Sequence, residues 1–208
     1  MIPHADDGTS DGGTSQYFDE PTVASDPVTI DVSLPDTAFT LRTDRGVFAR
    51  GQLDAGTSLL LRGDPPLVAD GDVLDLGCGA GPIALTMARR APAVTVWAVD
   101  VNPRALELCR SNADANGVTT IRVALPDDVP PEVRFGSVWS NPPIRIGKTA
   151  LHELLLRWLP RLTHEGVATL VVQKHLGADS LQRWLTDQGF PTERAASKAG
   201  YRLLSVRR

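Results

Sequence analysis

From residue 72 onward, short apolar runs alternate with longer runs whose apolar residues recur at helical spacing. That alternation restricts the fold more than any other feature. A strand–helix–strand unit pairs its strands in parallel, so repeating it builds an open, doubly wound α/β sheet with helices on both faces. The predicted strands are residues 73–76, 94–99, 121–124, 137–140, 167–173 and 201–206. Between them, helices are expected at 82–90, 103–116, 149–162 and 179–188, with Pro82 in a first turn, Gly117 as a stop, and an apolar stripe of Leu151, Leu154, Leu155, Trp158 and Leu162. Upstream, residues 28–33 and 38–42 alternate around Leu34-Pro35-Asp36-Thr37, which predicts a β-hairpin, and 55–62 predicts a short helix.

No linker or internal repeat divides the 208 residues. Residues 1–16 are Gly, Ser, Thr and Asp with little to bury, and are expected to be a disordered tail. Residues 17–208 are expected to form one domain, with the hairpin and helix in 17–71 and the core in 72–208. No apolar run is long enough for a membrane span, and the acidic start (Asp6, Asp7, Asp11) is unlike a signal peptide. Two cysteines, Cys78 and Cys109, fit a reduced cytoplasm rather than a disulfide scaffold. The whole chain carries −4, but unevenly: −9 over residues 1–72, −1 over 73–140 and +6 over 141–208. A polyanion is therefore drawn to the last third, although a dipolar soluble protein has the same profile. Arginines number 18 and lysines 3.

Ligands of such sheets bind beyond the carboxyl ends of the strands, so the residues just after each strand carry the argument. After the first core strand stands Asp75-Leu76-Gly77-Cys78-Gly79-Ala80-Gly81. Glycines two apart let the backbone turn sharply and a ligand approach closely, and the helix N-terminus that follows favours negative charge. Alone, the loop also fits a tight turn in any α/β protein; its Gly-x-Gly-x-Gly spacing is not the dinucleotide pattern. After the second strand, Asp100 can accept both hydroxyl hydrogens of a ribose, or cap the next helix, a task Asn102 does better. After the fourth strand comes Ser140-Asn141-Pro142-Pro143-Ile144. The prolines make a rigid corner, and an amide oxygen plus a main-chain carbonyl suit an –NH₂ group with two hydrogens to donate. No His, Cys and carboxylate spacing suggests a metal. Trp97, Trp139, Trp158 and Trp184 are expected in the core, and His152 and His164 at the surface.

Together, DLGCGAG at 75–81, Asp100 and NPPI at 141–144 resemble the class I S-adenosylmethionine-dependent methyltransferases that modify amino groups. GVFARGQLDAGTSLLL at 46–61 and SNPPIRIGK at 140–148 narrow the resemblance to the "methyltransferase small" family, which includes the ribosomal small-subunit RNA guanine-N2 methyltransferases in single-domain form. It covers about residues 16–208. It implies a mostly parallel seven-stranded Rossmann-like sheet with an N-terminal hairpin extension. It implies that Asp75, Gly77, Cys78 and Gly79 hold the methionine part of S-adenosylmethionine, that Asp100 binds the ribose with Val101 and Asn102 beside the adenine, and that Asp127 meets the adenine amino group. Phe48 and Thr57 close over the cofactor. Asn141 borders both cofactor and target, and with Pro142, Pro143 and Ile144 forms the catalytic corner. Many such enzymes have an aromatic residue where this chain has Ile144.

The implied reaction yields S-adenosylhomocysteine and needs no metal. The implied substrate is ribosomal RNA or the small ribosomal subunit, contacted by Arg145, Lys148, Lys174 and His175 after strand ends. The alternatives are another amino target (transfer RNA, DNA adenine, protein glutamine) and an inactive RNA-binding copy. A copy of that kind is expected to lose the glycines, Asp100 or Asn141, all present here.

Overall fold

The structure, a computed structural model, describes residues 24–208. The tail expected at 1–16 lies outside the described residues. In chain order the elements are β1 (Val28–Ser33), β2 (Ala38–Thr43), α1 (Ala55–Arg62), β3 (Asp72–Leu76), α2 (Pro82–Arg90), β4 (Val96–Val99), α3 (Pro103–Ala115), β5 (Ile121–Ala124), β6 (Phe135–Ser140), α4 (Lys148–Trp158), β7 (Leu162–Gln173), α5 (Ala178–Asp187), β8 (Thr192–Lys198) and β9 (Tyr201–Arg207). Strands β1 and β2 pair only with each other; the other seven form one sheet in the order β5-β4-β3-β6-β7-β9-β8. The first five of these run parallel, and β9 is antiparallel to both β7 and β8. The chain starts in the middle at β3, winds outward to β5, then returns to β6 on the other side of β3. The winding direction reverses between β3 and β6, which opens a crevice at their carboxyl ends.

Strand alternation sorts the core into two layers. On β3, Val73 faces the α1–α3 side with Leu60, Ile83, Met87 and Leu106, while Leu74 and Leu76 face the α4–α5 side with Leu155, Trp158, Leu170 and Leu185. Fully burying each such side chain contributes about 1.5–3 kcal/mol. By the same alternation Asp75 falls on the α1–α3 side, a carboxylate placed inside an apolar layer.

Three sequence expectations are corrected. The helix expected over 149–162 ends at Trp158 and tightens into a 3-10 turn at Leu159–Arg161, because Pro160 cannot donate to a continued helix. Strand β7 begins at Leu162 rather than 167, with a register shift beside Gly166, where a Cβ would lie 2.8 Å from Phe135 O. Strand β8 has no counterpart in the sequence reading: its residues are mostly polar and exposed, as suits a charged edge strand.

The hairpin is fastened by two asparagines four apart, Asn112 on α3 and Asn116 at the cap of its C-terminus. Asn112 Nδ2 donates to Arg42 O and Ala80 O, both at 2.8 Å, and its Oδ1 accepts from Arg42 N at 2.8 Å. Asn116 repeats the grip on Thr40, donating to its carbonyl at 2.8 Å. Residues two apart along an open strand edge thus meet residues four apart along a helix. Asn112 is buried and joins the hairpin to the glycine loop at Ala80. Asn112→Ala leaves three main-chain groups unpaired, and the expected cost is about 2–3 kcal/mol in a denaturant titration. An unchanged midpoint would refute this fastening role.

Candidate active site

Pro82 starts α2 at its first turn, and the loop before it turns through left-handed glycines: Gly77 at φ 78°, Gly79 at 52° and Gly81 at 86°. Gly77 N and Cys78 N both donate to Val99 O, at 2.8 and 3.0 Å, which ties the loop to the end of β4. Gly81 is pressed onto α3: a Cβ there would come within 2.6 Å of Cys109 Sγ. Gly77 and Gly79 are open instead, with nothing nearer than 4.0 Å to an added Cβ. The loop is therefore fixed at its back and bare at its front.

Asp100 stands beside it. Its carboxylate accepts from Gly79 N at 2.9 Å and from Asn102 N at 3.0 Å. Asn102 caps α3, accepting from Arg104 N at 3.0 Å, and donates to Gly46 O at 3.0 Å. Each Asp100 oxygen keeps a further lone pair for a hydroxyl. Val101 and Leu125, after β4 and β5, are among the few large apolar side chains left exposed.

Asp75 is fully buried. One of its oxygens accepts from Ala84 N at 2.9 Å, and Oδ1 has no partner. Burial pushes its carboxyl well above the ordinary range, against the Ala84 hydrogen bond, and the Asp100 charge adds to the rise. A carboxylate whose folded pKa is raised destabilises the fold at pH values above its unfolded value of about 4, and costs nothing below it. Asp75→Asn is accordingly expected to raise the melting temperature of the cofactor-free protein at pH 8, by about 2–4 °C per kcal/mol relieved. The gain should shrink towards pH 4. A lower melting temperature at pH 8 would contradict the assignment of strain to this group.

The Asn-Pro-Pro corner follows β6. Ser140 Oγ donates to Leu76 O at 2.6 Å, locking the end of β6 to β3. Asn141 then points its amide at the start of α1. Its Nδ2 donates to Asp54 Oδ2 at 2.8 Å and to Thr57 Oγ1 at 3.1 Å. A carboxylate only accepts, so the nitrogen is the end that faces Asp54, and both its hydrogens are used. Oδ1 is left as the acceptor. Asp54 does double duty, since it also caps α1 by accepting from Thr57 N at 3.0 Å. Pro142 O accepts from Ile144 N at 2.8 Å across Pro143, at φ −73° and ψ 76° the centre of an inverse γ-turn. One lone pair of that carbonyl remains.

Phe48, Thr57, Gly77, Cys78, Gly79 and Asn141 meet around one cavity of about 40 Å³ at the crevice. Phe48 is 66% exposed, on a turn that includes Ala49 at φ 61°. A larger groove of about 690 Å³ lies at the other end of the strands, between Asp36, Pro65, Arg90 and Pro92, away from these residues. Asp127 does not line this cavity; its side chain is 90% exposed and paired with Arg157 at 2.7 Å. Lys148, Lys174 and His175 are exposed at the carboxyl edge of the sheet. Arg145 is in the 3-10 turn Ile144–Ile146, and its side chain lies outside the described residues. Trp97, Trp139 and Trp158 are buried as expected, but Trp184 is half-buried and stacks on His152, ring centroids 3.5 Å apart. Among the described residues no group of side chains could hold a metal, and no helix is long and apolar enough to cross a membrane.

Sequence reasoning missed Asp54, whose only local signal was its place before a helix, and Asn112, which supports the loop from α3.

The family model of the methyltransferase small domain matches residues 38–205. An uncharacterised Bacillus subtilis protein, YbxB, is 33% identical over 195 residues, spanning 92% of this chain and 97% of its own length. A ribosomal RNA small subunit methyltransferase C of a Shewanella species is 33% identical over 150 residues, 70% of this chain and 42% of that protein. The chain thus spans under half the length of that relative. Among solved structures, the Thermus thermophilus 16S rRNA N2 G1207 methyltransferase, in complex with AdoMet and guanosine, superimposes with a TM-score of 0.72 at 24% identity, covering 90% of this chain and 52% of that one.

Proposed function

The chain belongs to the methyltransferase small domain family, and on that premise we propose that it transfers a methyl group from S-adenosylmethionine to an exocyclic amine, guanine N2 of small-subunit ribosomal RNA. The observation that carries this reading is the Asn141 amide, its nitrogen held by Asp54 and Thr57 and its oxygen left to accept, at the edge of a bare glycine loop. The residues present fit the cofactor. The unpartnered buried oxygen of Asp75 and the open faces of Gly77 and Gly79 suit its amino-acid end, and Asp100 suits a ribose. Val101 and Leu125 offer apolar surfaces for the adenine, and Phe48 and Thr57 border the same cavity. The Shewanella relative and the Thermus structure, by name, act on 16S or small-subunit RNA, which supports the choice of substrate.

When bound, S-adenosylmethionine supplies an electrophilic methyl group, so the protein's task is to orient and activate an amine. A guanine amine is a weak nucleophile because its lone pair is delocalised into the ring. Asn141 Oδ1 and Pro142 O accept its two hydrogens and turn the lone pair out of conjugation. Both acceptors strengthen as positive charge grows on the nitrogen, so they favour the transition state over the ground state. Because Asp54 and Ser140 fix the corner beforehand, little reorganisation remains for the reaction itself. Ile144 packs on the base face, and Arg145, Lys148, Lys174 and His175 meet the phosphates.

The test offers methyl-labelled cofactor with unmodified 30S subunits, naked ribosomal RNA, transfer RNA and a protein extract, then digests labelled RNA to nucleosides. Label in N2-methylguanosine from 30S or its RNA is expected. Label in another nucleoside or in protein would replace the substrate, and no label together with no cofactor binding would overturn the reading.

A further inference from the structure

The geometry points to the turn between β8 and β9 as a second RNA-holding element, in which Lys198 joins Lys174 and Lys148 in gripping the phosphates that flank the target nucleotide. This inference rests on the RNA reading above and adds residues that no motif singled out.

The turn is rigid. Its two central residues, Ala199 and Gly200, are both left-handed, at φ 50° and 81°, the geometry that matches the twist of a two-residue hairpin. Lys198 and Tyr201 face each other across it. It is also clipped in place: Lys174 N donates to Gly200 O at 2.7 Å, and Gln173 Nε2 donates to the Tyr201 hydroxyl at 2.8 Å. The tip of an antiparallel hairpin at one side of the sheet is thus bound to the exit of β7, the strand next to β6.

From there the contacts lead directly to the catalytic corner. The Tyr201 ring presses on Gly56 in α1; a Cβ on that glycine would come within 2.9 Å of Tyr201 Cε1 and 3.0 Å of Asp54 Oδ2. Asp54 is the carboxylate that holds Asn141. One glycine therefore separates the turn from the group that aims the catalytic amide, and any larger residue at 56 would push the two apart.

The distribution of lysine gives the second line of argument. The chain has three, Lys148, Lys174 and Lys198. They come from three separate elements, all are exposed, and all lie at the carboxyl edge of the central strands: at the start of α4, after β7, and at the end of β8. Among the described residues none is in an ion pair, whereas Arg90, Arg157 and Arg202 are held by carboxylates. Flexible ammonium groups without protein partners suit phosphates as point charges, and phosphate contacts fix the register of a nucleic acid without reading its sequence. A lysine serving only to guard the β8 edge would have no such relation to the site.

The test uses the full chain, methyl-labelled S-adenosylmethionine and a 16S ribosomal RNA transcript alongside unmodified 30S subunits, comparing wild type with Lys198→Glu and Lys198→Arg. Rates are read against RNA concentration at two salt concentrations. Lys198→Glu is expected to raise KM for the better RNA substrate by about tenfold, with kcat nearly constant and cofactor affinity unchanged, and to lower the slope of log KM against log salt by about one. Lys198→Arg is expected to restore KM, since the charge returns. If wild type labels RNA and Lys198→Glu matches it in KM and salt slope, the turn has no such role and the methyl-transfer reading stands. If wild type labels none of the RNA, the choice of RNA as substrate and the role of the turn fall together.

Discussion

Asn141→Ala is expected to lower the rate of methyl transfer by about 10²–10³-fold, the loss found when one preorganised hydrogen-bonding group is removed from a site of developing charge. Cofactor affinity should change little, because the glycine loop and Asp100 do not depend on the Asn141 amide. Single-turnover transfer and calorimetric titration of S-adenosylmethionine separate the two effects. Full activity in this variant would mean that the acceptor pair has been misassigned. Asp54→Ala should reproduce part of the defect by a different route. It leaves Asn141 in place but frees its nitrogen from the carboxylate, so the amide can present either end to the target.

Asp100→Ala is expected to do the reverse. The carboxylate would accept two ribose hydroxyls, and charged hydrogen bonds of that kind are each worth about 1.5–3 kcal/mol. Their loss should weaken S-adenosylmethionine binding by about 10²-fold or more. The variant also loses the bond from Gly79 N that draws the loop towards β4. Transfer at saturating cofactor should survive far better than in Asn141→Ala. Cofactor affinity equal to wild type would remove Asp100 from the site. Because the Asp100 charge helps to raise Asp75, the same substitution should also ease ionisation of that buried carboxyl.

Much of this site was legible in the sequence because it is local. The glycine loop, Asp100 and the Asn-Pro-Pro corner each sit at a strand end, and strand ends announce themselves by where apolar runs stop. What was illegible depends on contacts between distant segments. Asp54 reads locally as a helix cap, and nothing near it indicates that Asn141, 87 positions later, takes the same carboxylate. The position of Asp127 after β5 gives no sign that Arg157 on α4 pairs with its carboxylate. Strand β8 carries Glu193, Arg194 and Lys198, and only Thr192 is buried and Ala196 half-buried, so there is no alternation for periodicity to detect. Trp184 packs at the margin of the α4–α5 core, and the stack on His152 leaves it half-buried there.

The support of α1 has a consequence for how activity arises during synthesis. Helix α1 is made early, but it is seated by strands made late: it packs on β7, Gly56 lies against Tyr201, and Gly63 against Leu203. Asp54 sits at the N-terminus of that helix and holds the Asn141 amide. A nascent chain lacking residues 201–203 would carry every motif visible in the sequence, the glycine loop and Asn-Pro-Pro included, without a seated α1 to aim Asn141. Under the proposed reading, competence for methyl transfer awaits the joining of β9 to the sheet, so a chain not yet made through residue 203 would be silent towards the RNA around it.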